Sequence, residues 1–420
     1  MKKLVILIAF ILVLTACDLG GILPPLDEMN YQEEEAEEPA GPAIEPVEPA
    51  AQPEPAAPIY RFMDGLLASS GEDNACISPL AFKLALAIAY NGAEGESAEL
   101  LKTMFDDATP TEINDWALAF LEQAKEYKGA RGDAETPPSP ELLIANSYWL
   151  NSKYARDISS EFTDVISASY GAKRGTFVRI PDEINEWVSA ATKGRIEDIL
   201  AGIDTYAMLY FVNALYFRGN WESEFDKDDN EPLEFMNPDG KAVEVTMFRG
   251  RAEGYIDTPA YEGVTKNLHG GMTFTAVMSK SGEGVGLNGL VSAREAADES
   301  YSKVDLAIPR FSFNTEVSIM EGDQPEFDIL FSHQGLSGAL SENAKVDYFF
   351  ISGMFQKTTF TFAEKGIDST TAASYVPPGE EGVQEGDREE VAIIFDRPFY
   401  FTLTDKDGEI LLYGKVTALR

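Results

Sequence analysis

The sequence predicts an α+β fold on three observations. Stretches with apolar residues at helical spacing stand in the first half of the chain: Ile59–Ala68, Ala81–Ala89, Glu112–Tyr127 and Tyr154–Tyr170. Apolar or alternating runs of strand character lie among and after them: Leu142–Leu150, Leu209–Trp221, Thr358–Phe362 and Val391–Phe395. Between the last two strands runs a long segment with neither pattern, and long structureless loops in folded proteins are usually functional.

Two segments precede the folded part. Met1-Lys2-Lys3 is basic, Leu4–Leu14 is an apolar core too short to span a bilayer, and Leu14-Thr15-Ala16-Cys17 has the pattern of a bacterial lipobox. Residues 1–16 therefore read as a lipoprotein signal peptide, with Cys17 lipidated after cleavage. Residues 17–58 read as a tether, carrying Glu33-Glu34-Glu35, Glu37-Glu38 and regular prolines from Pro39 to Pro58. Such a segment cannot bury enough apolar surface to offset its ordering entropy, and its prolines keep it extended at about 3 Å per residue. The expected location is the cell envelope, lipid-anchored on the extracytoplasmic side. Residues 59–420 form the folded domain, long enough for a sizeable core.

Charge and composition exclude several functions. A net charge of −38 argues against nucleic acid, because phosphate contacts need clusters of Lys and Arg. With Cys17 lipidated, Cys76 stands alone, so no disulfide framework is possible within the chain. Cys76 precedes Ile77-Ser78-Pro79-Leu80 and reads as a small buried residue. The two histidines, His269 and His333, and one thiol do not make a zinc site. Neither histidine has a G-x-S-x-G nucleophile motif nearby. No enzyme activity, metal or cofactor is expected.

Taken in order, Ile59–Ala68 is a first helix. Asn74–Leu80 is a short strand and turn, and Ala81–Ala89 an apolar helix that Asn91-Gly92-Ala93 ends, where Asn or Gly adopts a left-handed conformation. Glu94–Glu99 opens the next helix, and Glu112–Tyr127 is another. Gly129–Pro140 is a surface loop, Leu142–Leu150 a buried strand and Tyr154–Tyr170 amphipathic. Thr358–Phe362 alternates as a half-buried strand, and Val391–Phe395 reads as a buried one. The long segment between them has two halves. Gly366–Ala373 is almost all small residues and holds no proline, so its backbone could join a ladder. Val376–Glu390 is rich in Pro, Gly and carboxylates and reads as exposed loop.

Several stretches resemble the serpin family. ISPLAFKLALAIAYNGAEGESAEL resembles its strand, buried helix and turn. Ile184-Asn185-Glu186-Trp187-Val188, Thr192-Lys193-Gly194-Arg195-Ile196 and Asp198-Ile199-Leu200 match one of its patterns, and Leu209–Trp221 (LYFVNALYFRGNW) another. Val304–Phe313 and Gly335–Ser352 extend the likeness. Ala363–Gly366 followed by Asp368–Ala373 resembles the reactive-loop hinge, and Phe395–Phe399 the strand after the loop. The resemblance implies the serpin fold: a large central mixed sheet, further sheets, about eight to nine helices and an exposed reactive loop. It places Leu142–Leu150 in the central sheet and a helix over Tyr154–Tyr170 across the front of that sheet.

The resemblance also implies a mechanism. A protease cuts the loop and is held as an acyl-enzyme while the cut loop inserts as a new strand; loop insertion in this family is itself a standard example of strand addition and stored-strain release. The hinge is Glu364, Gly366, Ile367, Asp368, Ser369, Thr370, Thr371, Ala372 and Ala373. Ile367 stands where Thr or Ser is usual, and Asp368 where Glu is common. Ser78, Asn213 and Gln356 occupy the place where the two middle strands part, and Trp221 the top of that opening. Gln356 stands where the family often has His, which makes this network insensitive to pH. The cut falls about sixteen residues past Glu364, at Glu380 before Glu381. Arg388 is the alternative, but it adds some 26 Å of slack at about 3.3 Å per residue. Tyr375 and Val376 would suit chymotrypsin- or elastase-like enzymes on a shorter tether.

The function expected is suicide inhibition of extracellular serine or cysteine proteases by a monomer. The partners are the target protease, bound covalently, and a membrane through Cys17. The alternative is a non-inhibitory member of the family acting as a surface binding or adhesion module. The small residues Ser369–Ala373 favour inhibition.

Overall fold

The computed structural model describes residues 56–132, 136–179, 181–204, 206–301, 303–368 and 389–420. Among them seven α-helices and sixteen strands form, and the strands make three sheets. Helix α1 (Pro58–Ser69) starts at a proline, where the missing N–H costs nothing, and buries Phe62, Met63, Leu66 and Leu67. Strand β1 (Asn74–Ile77) leads into α2 (Pro79–Tyr90), which Ser78 caps by accepting from Ala81 N at 3.2 Å. Nearly every α2 residue is buried, because the helix packs against strands of two sheets. Helix α3 (Gly95–Met104) follows, then α4 (Pro110–Ala124), which Thr109 and Glu112 close with a capping box. Asn91 and Gly92 end α2 without a left-handed residue; the left-handed turn comes at Gly95, with φ +56°. Gly92 is needed for space instead, since a Cβ there would lie 2.9 Å from the Phe162 ring.

Strand β2 (Glu141–Asn151), helix α5 (Ser160–Tyr170), β3 (Lys173–Phe177), α6 (Asp182–Ala191) and β4 (Leu209–Asn220) come next. The remaining elements are β5 (Glu231–Met236), β6 (Ala242–Ala252), β7 (Gly254–Asp257), β8 (Tyr261–Leu268), β9 (Met272–Ser279), α7 (Leu287–Glu295), β10 (Lys303–Pro309), β11 (Phe311–Ile319), β12 (Gly353–Ala363), β13 (Gly366–Ile367), β14 (Glu390–Ile394), β15 (Phe399–Thr404) and β16 (Ile410–Val416). The central sheet has the order β11-β12-β13-β4-β2-β3. A second six-stranded sheet runs β1-β16-β15-β9-β8-β7, and a four-stranded one β14-β10-β6-β5.

Two expectations are corrected here, for the helix across the central sheet and for Val391–Phe395. The helix across the front of the central sheet is α6, not the Tyr154–Tyr170 segment. Ile184 and Val188 of α6 pack with Trp149, Tyr210, Val212 and Ala214 on that face. Helix α5 instead buries Phe162, Ile166 and Tyr170 in the main core beside α2 and α4. Val391–Phe395 is not a buried strand. β14 pairs with β10 on one side only, so Ala392 and Ile394 are exposed and Ile393 alone of β14 is buried. Val304–Phe313 is two strands, β10 and β11, separated at Arg310 and placed in different sheets.

Candidate functional site at the opening of the central sheet

The middle of the central sheet is where the expected site residues gather. β4 and β12 run parallel and pair from Gly353↔Tyr210 to Lys357↔Ala214, and the pairing stops there. Above that point Thr358–Thr361 of β12 pair with β11, and Leu215–Arg218 of β4 pair with β2. At the top β13 sits between them, antiparallel to both, with Ile367 opposite Phe362 and Gly219. Among the described residues, the sheet is therefore joined at the bottom, open in the middle and plugged at the top.

Just where the joined part ends, Gln356 and Asn213 are register partners, and Asn146 of β2 is the next partner across. All three are buried. The Gln356 carboxamide receives Ser78 N at 2.7 Å and donates to Ser78 O at 3.1 Å. Asn213 turns the other way and donates to Asn146 Oδ1 at 2.8 Å. Ser78, Gln356 and Asn213 thus come to one place, but as two separate pairs rather than one network. Thr358 Oγ1 reaches Gln356 Oε1 at 3.4 Å, and Thr315 Oγ1 accepts from Cys76 N at 2.8 Å. Asn146 escaped the sequence reading, although a lone Asn in LLIANSYWL is the kind of interruption that marks a buried polar pair. Cys76 is fully buried, and burial pushes its thiol up, out of reach of reactive chemistry.

Trp221 stands at the top. Its indole donates to Ala363 O at 2.9 Å, and its backbone N donates to Lys365 O at 3.0 Å. Phe225 N donates to Glu364 O at 2.9 Å, and Asn230 reaches the Glu364 carboxylate at 3.3 Å. Glu364 and Lys365 form the tight turn that reverses the chain from β12 into β13. Beneath it Trp221, Phe225, Phe248, Phe274, Phe311 and Phe362 pack ring on ring. Lys266 lies fully buried over the Trp221 and Phe225 rings and donates to Arg251 O at 2.6 Å. Burial lowers its pKa to about 8, against the attraction of Glu253 and Glu222.

The described part of the hinge is already in the sheet. Ile367 is 1% exposed and shares the core with Phe362. Gly366 has φ +154°, and an added Cβ would lie 1.9 Å from Gly219 O. Asp368 N donates to Thr361 O at 2.8 Å, and Asp368 itself has a left-handed φ of +46°. Burial raises the Asp368 carboxyl above the usual range, while Tyr216, Arg195 and Arg218 hold it down and Glu141 pushes it up. Arg195 lies over the Tyr216 ring, with its guanidinium carbon 5.1 Å from the ring centre. Glu141 binds Lys193 at 2.6 Å and Arg218 at 3.3 Å, and Lys357 donates to Glu197 O at 3.0 Å. The segment after α6 is thus tied to β2 and β12, on either side of the opening. Ser369, Thr370, Thr371, Ala372, Ala373, Tyr375, Val376, Glu380, Glu381 and Arg388 lie outside the described residues, as does Cys17.

A family model described as "Serpin (serine protease inhibitor)" matches residues 60–419. The chain belongs to the serpin family. Serpins are generally protease inhibitors rather than catalysts, and they form covalent complexes with their targets. An uncharacterized serpin-like protein of Thermococcus kodakarensis is 26% identical to this serpin over 380 residues, covering 85% of this chain and 82% of its own. The native-state structure of tengpin, a thermophilic serpin, superposes with a TM-score of 0.68 at 23% identity, over 86% of this chain and 94% of tengpin. The native stressed form of Arabidopsis AtSerpin1 gives 0.69 at 20% identity, over 86% and 97%. The three-sheet architecture is that of the serpin structures.

Proposed function

We propose that this serpin is a suicide inhibitor of extracytoplasmic serine proteases, carried on a membrane by a lipidated Cys17 and the acidic tether after it. The observation that carries the reading is the sheet itself: an opening between β4 and β12, with the first two hinge residues paired at its upper end. Gly366-Ile367 are followed by Asp368-Ser369-Thr370-Thr371-Ala372-Ala373, which holds no proline and no large apolar side chain. Such a segment suits a strand between two existing strands.

In this reading the target's serine hydroxyl attacks the carbonyl carbon of Glu380. The Glu380–Glu381 amide breaks, Glu381 leaves with a free amine, and Glu380 stays on the protease as an ester. The freed hinge side then fills the opening as a strand before water reaches the ester. Inhibition is a race between insertion and deacylation, so it is kinetic.

The test is incubation of the full chain with glutamyl, trypsin-like, chymotrypsin-like and elastase-like proteases, followed by denaturing gels and mass spectrometry. The expected result is a covalent band with the glutamyl enzyme and a cut after Glu380. A cut after Arg388 within a covalent band would move the scissile bond. Cleavage without a covalent band across the whole panel would refute inhibition.

A further inference from the structure

Away from the central sheet, a pocket of about 870 Å³ lies between α1, α2, α4 and the β15–β16 turn. Its apolar wall includes Met63, Ile113, Trp116, Phe120, Leu287 and Ile410. Five carboxylates also line it, Asp106, Glu112, Asp405, Asp407 and Glu409, against one cation, Lys83. That cation is already engaged: Lys83 Nζ pairs with Glu409 at 2.7 Å and lies 4.1 Å from the centre of the Trp116 ring. Glu112 serves the capping box of α4, and Asp407 receives Gln123 Nε2 at 2.8 Å with Lys406 Nζ at 3.8 Å. Asp405 is different. It lines the pocket although it is only 1% exposed. Its Oδ1 accepts from Asp407 N at 3.0 Å and from Glu409 N at 2.8 Å, which closes the turn between β15 and β16. Its Oδ2 is buried and has no hydrogen-bond partner among the described residues. The turn needs only one oxygen, and asparagine would supply that without a charge. A buried carboxylate oxygen left unpaired is costly, and burial raises the pKa of this acid. An unpaired buried atom of this kind marks the place of a missing partner.

We infer that this pocket is a binding site for a small amphiphilic organic cation, an ammonium on an apolar body, with Asp405 anchoring the charge. The lining selects the sign, since four of its five carboxylates remain after Lys83 has taken Glu409. The pocket already holds one ammonium by the same means, because Lys83 rests on an aromatic face and a carboxylate together. A ligand ammonium at Asp405 supplies the charged donor that Oδ2 lacks. Its apolar part lies on Met63, Phe120 and Ile410, and the volume suits a molecule of ordinary ligand size. The acidic tether before α1 does not suit the pocket. Its Glu33-Glu34-Glu35 and Glu37-Glu38 carry the charge that the lining already has in excess. This site is independent of loop insertion and adds a second binding function to the domain.

The experiment uses the full, uncut chain and dansylcadaverine, a naphthalene sulfonamide on a pentyl chain that ends in an ammonium. Its N-acetyl form, similar in size and uncharged, is the companion probe. Binding is followed by probe fluorescence at low ionic strength. The expected result is saturable binding of dansylcadaverine, with the acetylated probe about tenfold weaker or more, because it cannot make a charged hydrogen bond to the carboxylate. Asp405→Asn keeps the Oδ1 acceptor of the turn and should weaken the charged probe about tenfold, while the acetylated probe changes by less than about twofold. Ala119→Arg tests the place without touching Asp405. Ala119 is exposed on α4 and lines the pocket, so the new guanidinium should compete for the carboxylates and weaken the charged probe about tenfold. That variant carries the test if Asp405→Asn does not accumulate. No saturable binding, or equal binding of the two probes, would overturn the cation site. Unchanged affinity in Asp405→Asn would overturn Asp405 as the anchor, and unchanged affinity in Ala119→Arg would overturn the placement in this pocket.

Discussion

Replacing Gly366 by alanine tests whether the top of the central sheet is plugged as described. The new Cβ would stand 1.9 Å from Gly219 O and 2.8 Å from Asn220 Cα. Both neighbours are backbone of β4, so no rotamer change relieves the clash. The backbone conformation, φ +154°, is also one that L-residues avoid. The hinge must therefore leave the sheet. Unseating exposes the Ile367 side chain, at about 2–3 kcal/mol, and breaks a few ladder bonds at about 1 kcal/mol net each. It returns roughly 1–2 kcal/mol of backbone entropy for each of the two residues freed. The net cost is on the order of 1–3 kcal/mol, or about ten- to a hundredfold in the seating equilibrium. Because the rest of the fold does not depend on β13, the loss is local. Hydrogen exchange should show the Asp368 amide losing about ten- to a hundredfold of protection, with the melting temperature shifted by no more than a few degrees. An Asp368 amide as protected in Gly366→Ala as in wild type would refute this placement of the hinge.

Other substitutions probe the polar pairs and the buried charge. Gln356→Leu leaves Ser78 N buried without its acceptor and should lower stability by about 1–3 kcal/mol, read as a lower urea midpoint at unchanged slope. An unchanged midpoint would mean that Ser78 finds another partner. Trp221→Phe keeps the ring packing but removes the donor to Ala363 O, and should cost about 1 kcal/mol by the same measure. Lys266 has a folded pKa of about 8 against 10.5 for the free side chain, so the folded state disfavours its charge. The resulting penalty is full below pH 8 and is relieved as pH rises toward 10.5. Wild-type stability should therefore gain between pH 8 and 10 relative to Lys266→Met, and parallel pH curves for the two proteins would refute a buried, destabilised charge.

The parts of the fold that were legible in the sequence are those whose periodicity is local. α1, α2, α4, β2 and β4 stand where the apolar spacing puts them, because each buries a face that its own residues define. What periodicity does not carry is which side of a sheet a helix covers. Phe162, Ile166 and Tyr170 of α5 and Ile184 and Val188 of α6 are equally good apolar stripes, and only the crossings through β3 decide that α6 takes the front. β14 misled for a related reason: VAIIF is apolar enough for a buried strand, but its place at a sheet edge leaves every second residue facing out. At the site, Ser78, Gln356, Asn213 and Trp221 could be named from motifs. Their partners Asn146, Thr315, Tyr216 and Arg195 come from other strands and loops, and no local pattern joins them. The seating of Gly366-Ile367 was not legible either. A glycine before small polar residues shows that a strand can form there, while its present pairing depends on the gap that β4 and β12 leave.

That gap also sets the scale of what insertion can deliver. The lower part of the opening is closed by five residue pairs, from Gly353↔Tyr210 to Lys357↔Ala214, and the upper end by the two residues of β13. A strand of about ten residues entering between β4 and β12 would form ladder bonds on both flanks, each worth roughly 0.5–1.5 kcal/mol net. Against this stands the entropy of ordering the same residues, at about 1–2 kcal/mol each. Backbone bonds alone therefore come close to balance, and the surplus must come from side chains. Here the chain holds an unusual card for its family resemblance: Ile367, an apolar residue at the first inward-facing hinge position, is already buried against Phe362 before any cut. Part of the apolar gain of insertion is therefore present in the uncut protein. On the insertion reading, the hinge of this serpin starts further along the path, with Gly366 and Ile367 already paired to both β12 and β4.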